Sequence, residues 1–92
     1  MTILRSELGL AQGYVAPRSE TETKLAEIWQ IALNLDHVGV EDNYFWLPGD
    51  SLIAAMIFAE IERVFGVRLP MSTLVAARSV ALLALRIDEK RD

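Results

Sequence analysis

The segment from residue 51 to residue 65 constrains the fold most, because it is apolar around nearly its whole circumference. One set of apolar residues recurs at helical spacing and predicts a stripe that faces a core. That core stripe consists of Ala54, Ile57, Phe58, Ile61 and Phe65. A second set has the same spacing on another face and consists of Leu52, Ala55, Met56 and Ala59. A helix with two apolar faces is either buried on all sides or in contact with a partner.

The length of the chain favours contact with a partner. With 92 residues, 52% of them hydrophobic, the chain has room for one domain with a packed core. No strand pattern is evident that could cover both faces of the 51–65 helix. We therefore interpret the second set as a surface for a partner protein, where the flexible side chain of Met56 suits adaptable contacts. This set (Leu52, Ala55, Met56 and Ala59) is called the docking stripe below.

Three more helices are predicted, so the expected fold is an all-α bundle of three longer helices and one short one. Ser19 followed by Glu22 fits a capping box and predicts the start of the first helix. Pro70 suits the first position of a short third helix over residues 71–77, and the last helix follows at residue 78 or 79. The core positions predicted in the first and last helices are Leu25, Ile28, Trp29, Ala32 and Leu33, and Val80, Leu83, Ala84 and Ile87.

A long loop, residues 34–50, connects the first two long helices. Loops of this length are often functional. Asp42 or Asn43 can cap one helical turn inside it. Its sole histidine, His37, is interpreted as a surface or packing residue. The apolar residues expected to hold the loop against the core are Leu35, Val38, Val40, Tyr44, Phe45, Trp46 and Leu47.

The segments on either side of the helices set the expected boundaries of the domain. Residues 1–18 show no sustained periodicity and contain Gly9, Gly13 and Pro17, so we expect a leader or linker there. The helical domain is expected to span residues 19–88. The charged residues 89–92 are expected to form a frayed tail.

The composition excludes several kinds of chemistry. The chain has no cysteine, which excludes a disulfide scaffold, a thiolate zinc site and a cysteine nucleophile. A single histidine excludes a multi-histidine metal site, and we expect no metal. The longest apolar run, 52–59, is too short for a membrane span, and no signal peptide is evident. We expect a cytoplasmic protein that does not bind membranes.

The charge is concentrated in the middle of the chain. Residues 20–62 carry nine acidic residues and one base, Lys24, within a total net charge of −4. This segment would repel phosphate backbones, so nucleic acid is a poor partner. The acidic residues either attract a basic protein surface or form a solvated face, and the sequence leaves both open.

Ser51 is the residue best placed for covalent modification. It follows Pro48-Gly49-Asp50 at the predicted start of the second long helix, where Asp50 or Ser51 can serve as the N-cap. The helix dipole and free backbone N–H groups favour negative charge at this position. Capping alone would also account for a serine here.

Several segments together resemble the carrier proteins that are modified with phosphopantetheine. The run Tyr44–Leu52 is similar to their attachment signature, an aromatic residue and any residue followed by Leu-Gly-Gly-Asp/His-Ser-Leu. The segments that favour the peptidyl carriers of nonribosomal peptide synthetases are Ala16–Glu22, Leu25–Trp29, Val38–Phe45 and Phe65–Pro70. The resemblance covers roughly residues 15–85.

The resemblance implies a four-helix carrier bundle that catalyses nothing itself. A phosphopantetheinyl transferase would attach a 4′-phosphopantetheine arm from coenzyme A to Ser51, flanked by Asp50 and Leu52. The thiol of the arm would hold an aminoacyl or peptidyl group as a thioester. Implied partners are an adenylation enzyme and condensation, tailoring or thioesterase enzymes. The carrier itself is expected to be a monomer. The size suggests a freestanding carrier that starts at Met1, although an excised domain would look the same.

One position departs from the signature. Pro48 stands where the family has glycine, and a proline has φ near −65° and no N–H. If the family glycine needs a positive φ, this loop has a different shape.

The alternative functions are an acyl carrier of a polyketide or fatty-acid-like pathway and an unmodified helical interaction module. A hydrolase that uses Ser51 and His37 lacks a supporting motif.

Overall fold

The computed structural model describes residues 1–91, which contain four α-helices; Asp92 lies outside the described residues. The helices are α1 (Glu20–Leu33), α2 (Ser51–Phe65), α3 (Thr73–Ala76) and α4 (Val80–Arg91). There are also two 3₁₀ turns, Arg5–Leu8 before α1 and Tyr44–Trp46 in the loop between α1 and α2. The predicted all-α bundle, with three longer helices and one short one, is confirmed.

The helix ends follow local capping rules. Ser19 Oγ accepts the backbone N–H of Glu22 at 3.1 Å and starts α1. A complete capping box would also need the Glu22 carboxylate to accept the backbone N–H of Ser19, but this carboxylate binds Arg18 instead. The predicted capping box is therefore confirmed only for the Ser19 contact. Gly66 ends α2 at φ 68°, a left-handed conformation that glycine adopts without strain.

The last two helices differ in length from the prediction. The short helix α3 begins at Thr73 and not at residue 71. The carbonyls of Pro70 and Met71 accept the N–H groups of Thr73 and Leu74, and these i→i+3 hydrogen bonds first form a tighter turn. Helix α4 continues to Arg91, past the expected boundary at residue 88. Residues 89–91 of the expected frayed tail are therefore helical.

The core is formed by the predicted faces of α1, α2 and α4. Trp29 and Ile61 are fully buried, and α1 contacts both α2 and α4. Phe65, predicted for the core, is only partly buried, and the guanidinium of Arg91 lies over its ring at 5.6 Å. Ala32 is also partly buried. The other predicted core positions of these three helices are buried.

The N-terminal segment contacts the domain directly, which differs from the leader or linker expected for residues 1–18. Ile3 forms a single parallel bridge with Leu35, and the Val15 carbonyl accepts the N–H of Val40 at 2.9 Å. The Arg5 side chain is buried and donates two hydrogen bonds to Asp42, at 2.7 and 2.6 Å. These contacts hold the first half of the long loop against residues 1–15.

The described part of the chain, residues 1–91, has no helix that is both long enough and apolar enough to cross a membrane. The cytoplasmic location stays a prediction.

Replacing Arg5 with alanine tests whether the N-terminal segment belongs to the folded unit. We expect Arg5→Ala to lower the free energy of unfolding by about 3–5 kcal/mol, because Asp42 would remain buried without its cation. Urea unfolding followed by circular dichroism measures this change. The matched control is Arg68→Ala, which removes an exposed pair with Glu62 and should cost much less than Arg5→Ala, because solvent screens an exposed pair. Equal losses for both variants would contradict the expectation.

Candidate functional site

Ser51 is the first residue of α2 and is exposed. Asp50 caps this helix, because its carboxylate accepts the N–H of Ile53 at 2.9 Å. The structure thus decides between the two predicted caps in favour of Asp50. Within residues 1–91 the Ser51 hydroxyl has no hydrogen-bond partner, so capping does not account for the serine. The hydroxyl is free to react with a molecule from solution.

Tyr44 holds the loop that presents Ser51. It lies in the 3₁₀ turn Tyr44–Trp46. Asn43, one of the two residues predicted to cap this turn, accepts the N–H of Phe45 at 2.9 Å. The ring of Tyr44 packs edge-on against Trp29, with 5.4 Å between centroids. Its hydroxyl donates to the backbone carbonyl of Asp50 at 2.8 Å. Burial, and to a smaller extent the Asp50 carboxylate, raises the pKa of Tyr44 above its ordinary value of 10.0, so the hydroxyl stays a donor at neutral pH.

The other two aromatic residues of this turn differ from the prediction. Phe45 and Trp46 were expected to pack against the core, but they are 56% and 59% exposed. A 3₁₀ turn has about three residues per turn, so only one of three consecutive side chains can point into the core. Tyr44 takes that position, and Phe45 adds apolar surface near Ser51.

Pro48 fits the loop without strain. The N–H of Gly49 donates to the Leu47 carbonyl at 2.8 Å, which closes a three-residue turn with Pro48 at its centre. An inverse turn of this kind has a central φ near −75°, close to the value of proline. Within residues 1–91, positive φ occurs only at Gly9, Asn34 and Gly66. The loop therefore needs no glycine at position 48.

Gly49 is required for a different reason, which is close packing. A Cβ atom at this position would lie 2.5 Å from Tyr44 Oη and 2.6 Å from Leu33 Cδ2. The φ of Gly49 is not positive, so its backbone angle does not require glycine. Glycine is required here because there is no space for a side chain. The glycine lets the loop approach both α1 and the Tyr44 ring.

A mostly apolar cleft of about 280 Å³ lies beside Ser51. The residues that line it are Tyr44, Phe45, Gly49, Asp50, Ser51, Ala54, Met71, Leu74 and Val75. His37 is not among them; it is exposed and its Nδ1 lies 3.1 Å from the Asp36 carboxylate. The structure therefore does not bring His37 and Ser51 together as a nucleophile and its base.

The docking stripe faces outward along α2. Leu52 and Met56 are 70% and 54% exposed, Ala59 is exposed and Ala55 is partly so. The neighbouring core stripe of the same helix is turned inward. Met56 also borders a groove between α1 and α2, together with Ile31 and Val64. These exposed apolar side chains start one residue after Ser51.

Most of the acidic residues in the middle of the chain have cationic neighbours. Arg18 pairs with Glu22 at 3.2 Å, and Arg63 with Glu60 at 2.7 Å. Within residues 1–91, Glu27, Asp36 and Asp50 are the acids of the 20–62 segment without a lysine or arginine partner. This pairing favours a solvated face over a surface that attracts a basic partner.

Substituting Gly49 tests the close packing under the loop. We expect Gly49→Ala to lower the free energy of unfolding by about 1–3 kcal/mol, because the new methyl group would displace Tyr44 or Leu33. The control is Gly13→Ala, where a Cβ meets nothing within 4 Å and the change should stay within about 0.5 kcal/mol. Thermal and urea unfolding measure both variants. A tolerated alanine at position 49 would show that the loop is not pressed against Tyr44.

Comparison with known proteins identifies the family. A sequence model described as the phosphopantetheine attachment site matches residues 23–87. The chain is 42% identical over 83 residues to gramicidin S synthase 2 of Brevibacillus brevis, which covers 90% of this chain and 2% of the synthase. It is 35% identical over 77 residues to indigoidine synthase of Streptomyces lavendulae, covering 84% of this chain and 6% of that enzyme. The chain thus spans a small fraction of these relatives.

Solved structures give the same result. An active-site mutant of a peptidyl carrier protein superposes with a TM-score of 0.83 at 34% identity, covering 89% of this chain and 91% of that one. A prototype peptidyl carrier domain of modular peptide synthetases superposes with a TM-score of 0.74 at 39% identity, covering 82% of this chain and 99% of that one. The chain belongs to the phosphopantetheine attachment family, as a carrier domain of the peptidyl type found in nonribosomal peptide synthetases.

Proposed function

We propose that this chain carries an aminoacyl or peptidyl group as a thioester on a 4′-phosphopantetheine arm at Ser51 and presents it to partner enzymes. The observation that carries the proposal is the exposed Ser51 hydroxyl at the start of α2, unused by the cap that Asp50 supplies. The family to which the chain belongs is defined by this attachment. The chain contains no cysteine, so the thiol of the arm would have no rival thiol within these 92 residues.

The site suits a phosphodiester. In the transfer, Ser51 Oγ would form a bond to the β-phosphorus of coenzyme A, and the bond from that phosphorus to the bridging pyrophosphate oxygen would break. Adenosine 3′,5′-bisphosphate would leave, and the hydroxyl proton would pass to a base on the transferase. The product phosphodiester would lie at the N-terminus of α2, where the helix dipole favours negative charge. Asp50 opposes this effect with its own charge.

The chain would depend on other enzymes for all of its chemistry. One structural neighbour is a peptidyl carrier protein in complex with the transferase Sfp and coenzyme A, and another is an adenylation–carrier pair with phenylalanyl-adenylate. We propose a phosphopantetheinyl transferase and an adenylation enzyme as partners of this chain. Condensation, tailoring or thioesterase enzymes would then act on the loaded arm. The monomeric state is part of the same proposal.

The docking stripe is proposed as the surface that these enzymes contact. It starts next to Ser51, and Leu52 and Met56 are the large apolar side chains that α2 exposes there. An enzyme that covers this stripe would bring its active site close to the arm. Exposed Phe45 and Met71 line the cleft beside Ser51 and extend the apolar surface.

An acyl group is the second candidate for the cargo. One neighbour, at 28% identity and a TM-score of 0.71, is named as a type-II acyl carrier protein of bleomycin biosynthesis. The match to gramicidin S synthase 2, at 42% identity, favours an aminoacyl or peptidyl cargo. Loading the modified protein with adenylation enzymes and with acyl transferases would separate the two cargoes.

Intact-mass measurement tests the attachment at Ser51. We expect the protein, incubated with coenzyme A and a broad-specificity phosphopantetheinyl transferase, to gain one arm. Ser51→Ala should gain none, whereas the control Ser72→Ala, which removes another exposed serine hydroxyl, should gain one arm like the wild type. No mass gain with several transferases would overturn the proposal and favour an unmodified interaction module.

Charge substitutions test the docking stripe. We expect Leu52→Glu and Met56→Glu to weaken loading by partner enzymes and to change the free energy of unfolding by no more than about 0.5 kcal/mol, because both side chains are exposed. Leu85→Glu, at an equally exposed position on α4, is the control and should load normally. Ile57→Ala, in the core stripe, should instead cost about 2–5 kcal/mol. Unfolding of either docking-stripe variant would assign the stripe to the core.

A further inference from the structure

We propose that the Tyr44 hydroxyl is a positioning group that holds the peptide unit of Ser51 in the geometry that a transferase accepts. The inference rests on the proposed modification of Ser51. Its physical basis is the hydrogen bond from Tyr44 Oη to the Asp50 carbonyl, 2.8 Å long. That carbonyl belongs to the peptide bond whose nitrogen is Ser51 N, and a peptide unit is planar. Holding the carbonyl therefore also holds the backbone of Ser51.

The contacted carbonyl also carries the first hydrogen bond of α2. It accepts the N–H of Ala54 at 3.0 Å in addition to the Tyr44 hydroxyl. First turns of helices fray because their N–H groups lack partners within the helix. A second hydrogen bond to the same carbonyl resists this fraying where Ser51 is presented.

Tyr44 is itself fixed, so it can transmit the rigidity of the core. It is 3% exposed, and its ring packs edge-on against Trp29 of α1, which is fully buried. Gly49 lies against the same ring and leaves no space for a side chain. The hydroxyl thus connects the packed centre of the domain to the first turn of α2.

The consequence for modification is a change in affinity. Without the hydroxyl, the first turn of α2 would spend less time in the geometry that the transferase binds, and the apparent affinity falls with the competent fraction. The transferase itself supplies the chemistry of the bound state, so kcat should not change. A neutral hydrogen bond contributes about 0.5–1.5 kcal/mol, so the rise in KM has an upper limit of about 2- to 13-fold, which is reached where the frayed first turn predominates.

The test is the steady-state kinetics of Tyr44→Phe with a phosphopantetheinyl transferase and coenzyme A. This variant keeps the ring, and the Asp50 carbonyl keeps its Ala54 partner, so the fold should survive. The control is Thr21→Val, which removes a buried hydroxyl that donates to Asp88 at 2.7 Å. Thr21 lies twelve residues before Leu33 on α1, which places it about 18 Å along the helix from the contact between Leu33 and Gly49, at 1.5 Å per residue.

We expect Tyr44→Phe to raise the KM for the carrier with kcat unchanged, and Thr21→Val to change neither. An unchanged KM for Tyr44→Phe, with the wild type fully modified, would overturn the inference while the proposed function stands. Failure of the wild type to accept the arm would instead overturn the proposed function.

Amide hydrogen exchange tests the same contact without any transferase. Tyr44→Phe should speed the exchange of the Ala54 amide relative to amides in the centre of α2, and Thr21→Val should not. Equal exchange at Ala54 in both variants would overturn the inference whether or not Ser51 is modified.

Discussion

The packing of Tyr44 against Trp29 positions the second half of the loop between α1 and α2, and Ser51 lies at the end of that loop. Burying one aromatic side chain removes a large apolar area from water, and the polar end of Tyr44 stays satisfied by a backbone carbonyl. Gly49 and the turn around Pro48 then bring the chain to the start of α2 with little freedom. The backbone that carries the Ser51 hydroxyl is therefore held by contacts with the core.

The two apolar faces of α2 have different surroundings. One face packs against α1 and supplies much of the buried apolar area, and the other remains exposed beside Ser51. Exposed apolar surface is a cost for an isolated protein and a gain for one that meets partners. Under the proposed function, the chain would need contacts with several enzymes that form and release, and an exposed stripe with a methionine would suit that requirement.

Much of the fold and of the site was predictable because the signals are local. Helical spacing predicted the buried faces of α1, α2 and α4, and the residues around Ser51 predicted the start of α2. The contact between Arg5 and Asp42 was not predictable, since 37 positions separate the two residues and no spacing rule relates them. The outward orientation of Phe45 and Trp46 was also missed, because a hydrophobic run does not indicate which of its members a 3₁₀ turn will bury.

The sequence by itself determined an all-α chain with a serine at a helix start, a second apolar stripe beside it and no thiol of its own. These properties depend on residues within a few positions of one another, whose interactions follow from helical geometry. Only the tertiary structure decided that Tyr44 reaches the Asp50 carbonyl and that residues 1–15 pack against the loop. Those outcomes depend on which distant groups compete for the same hydrogen bond or the same space, and packing settles that competition.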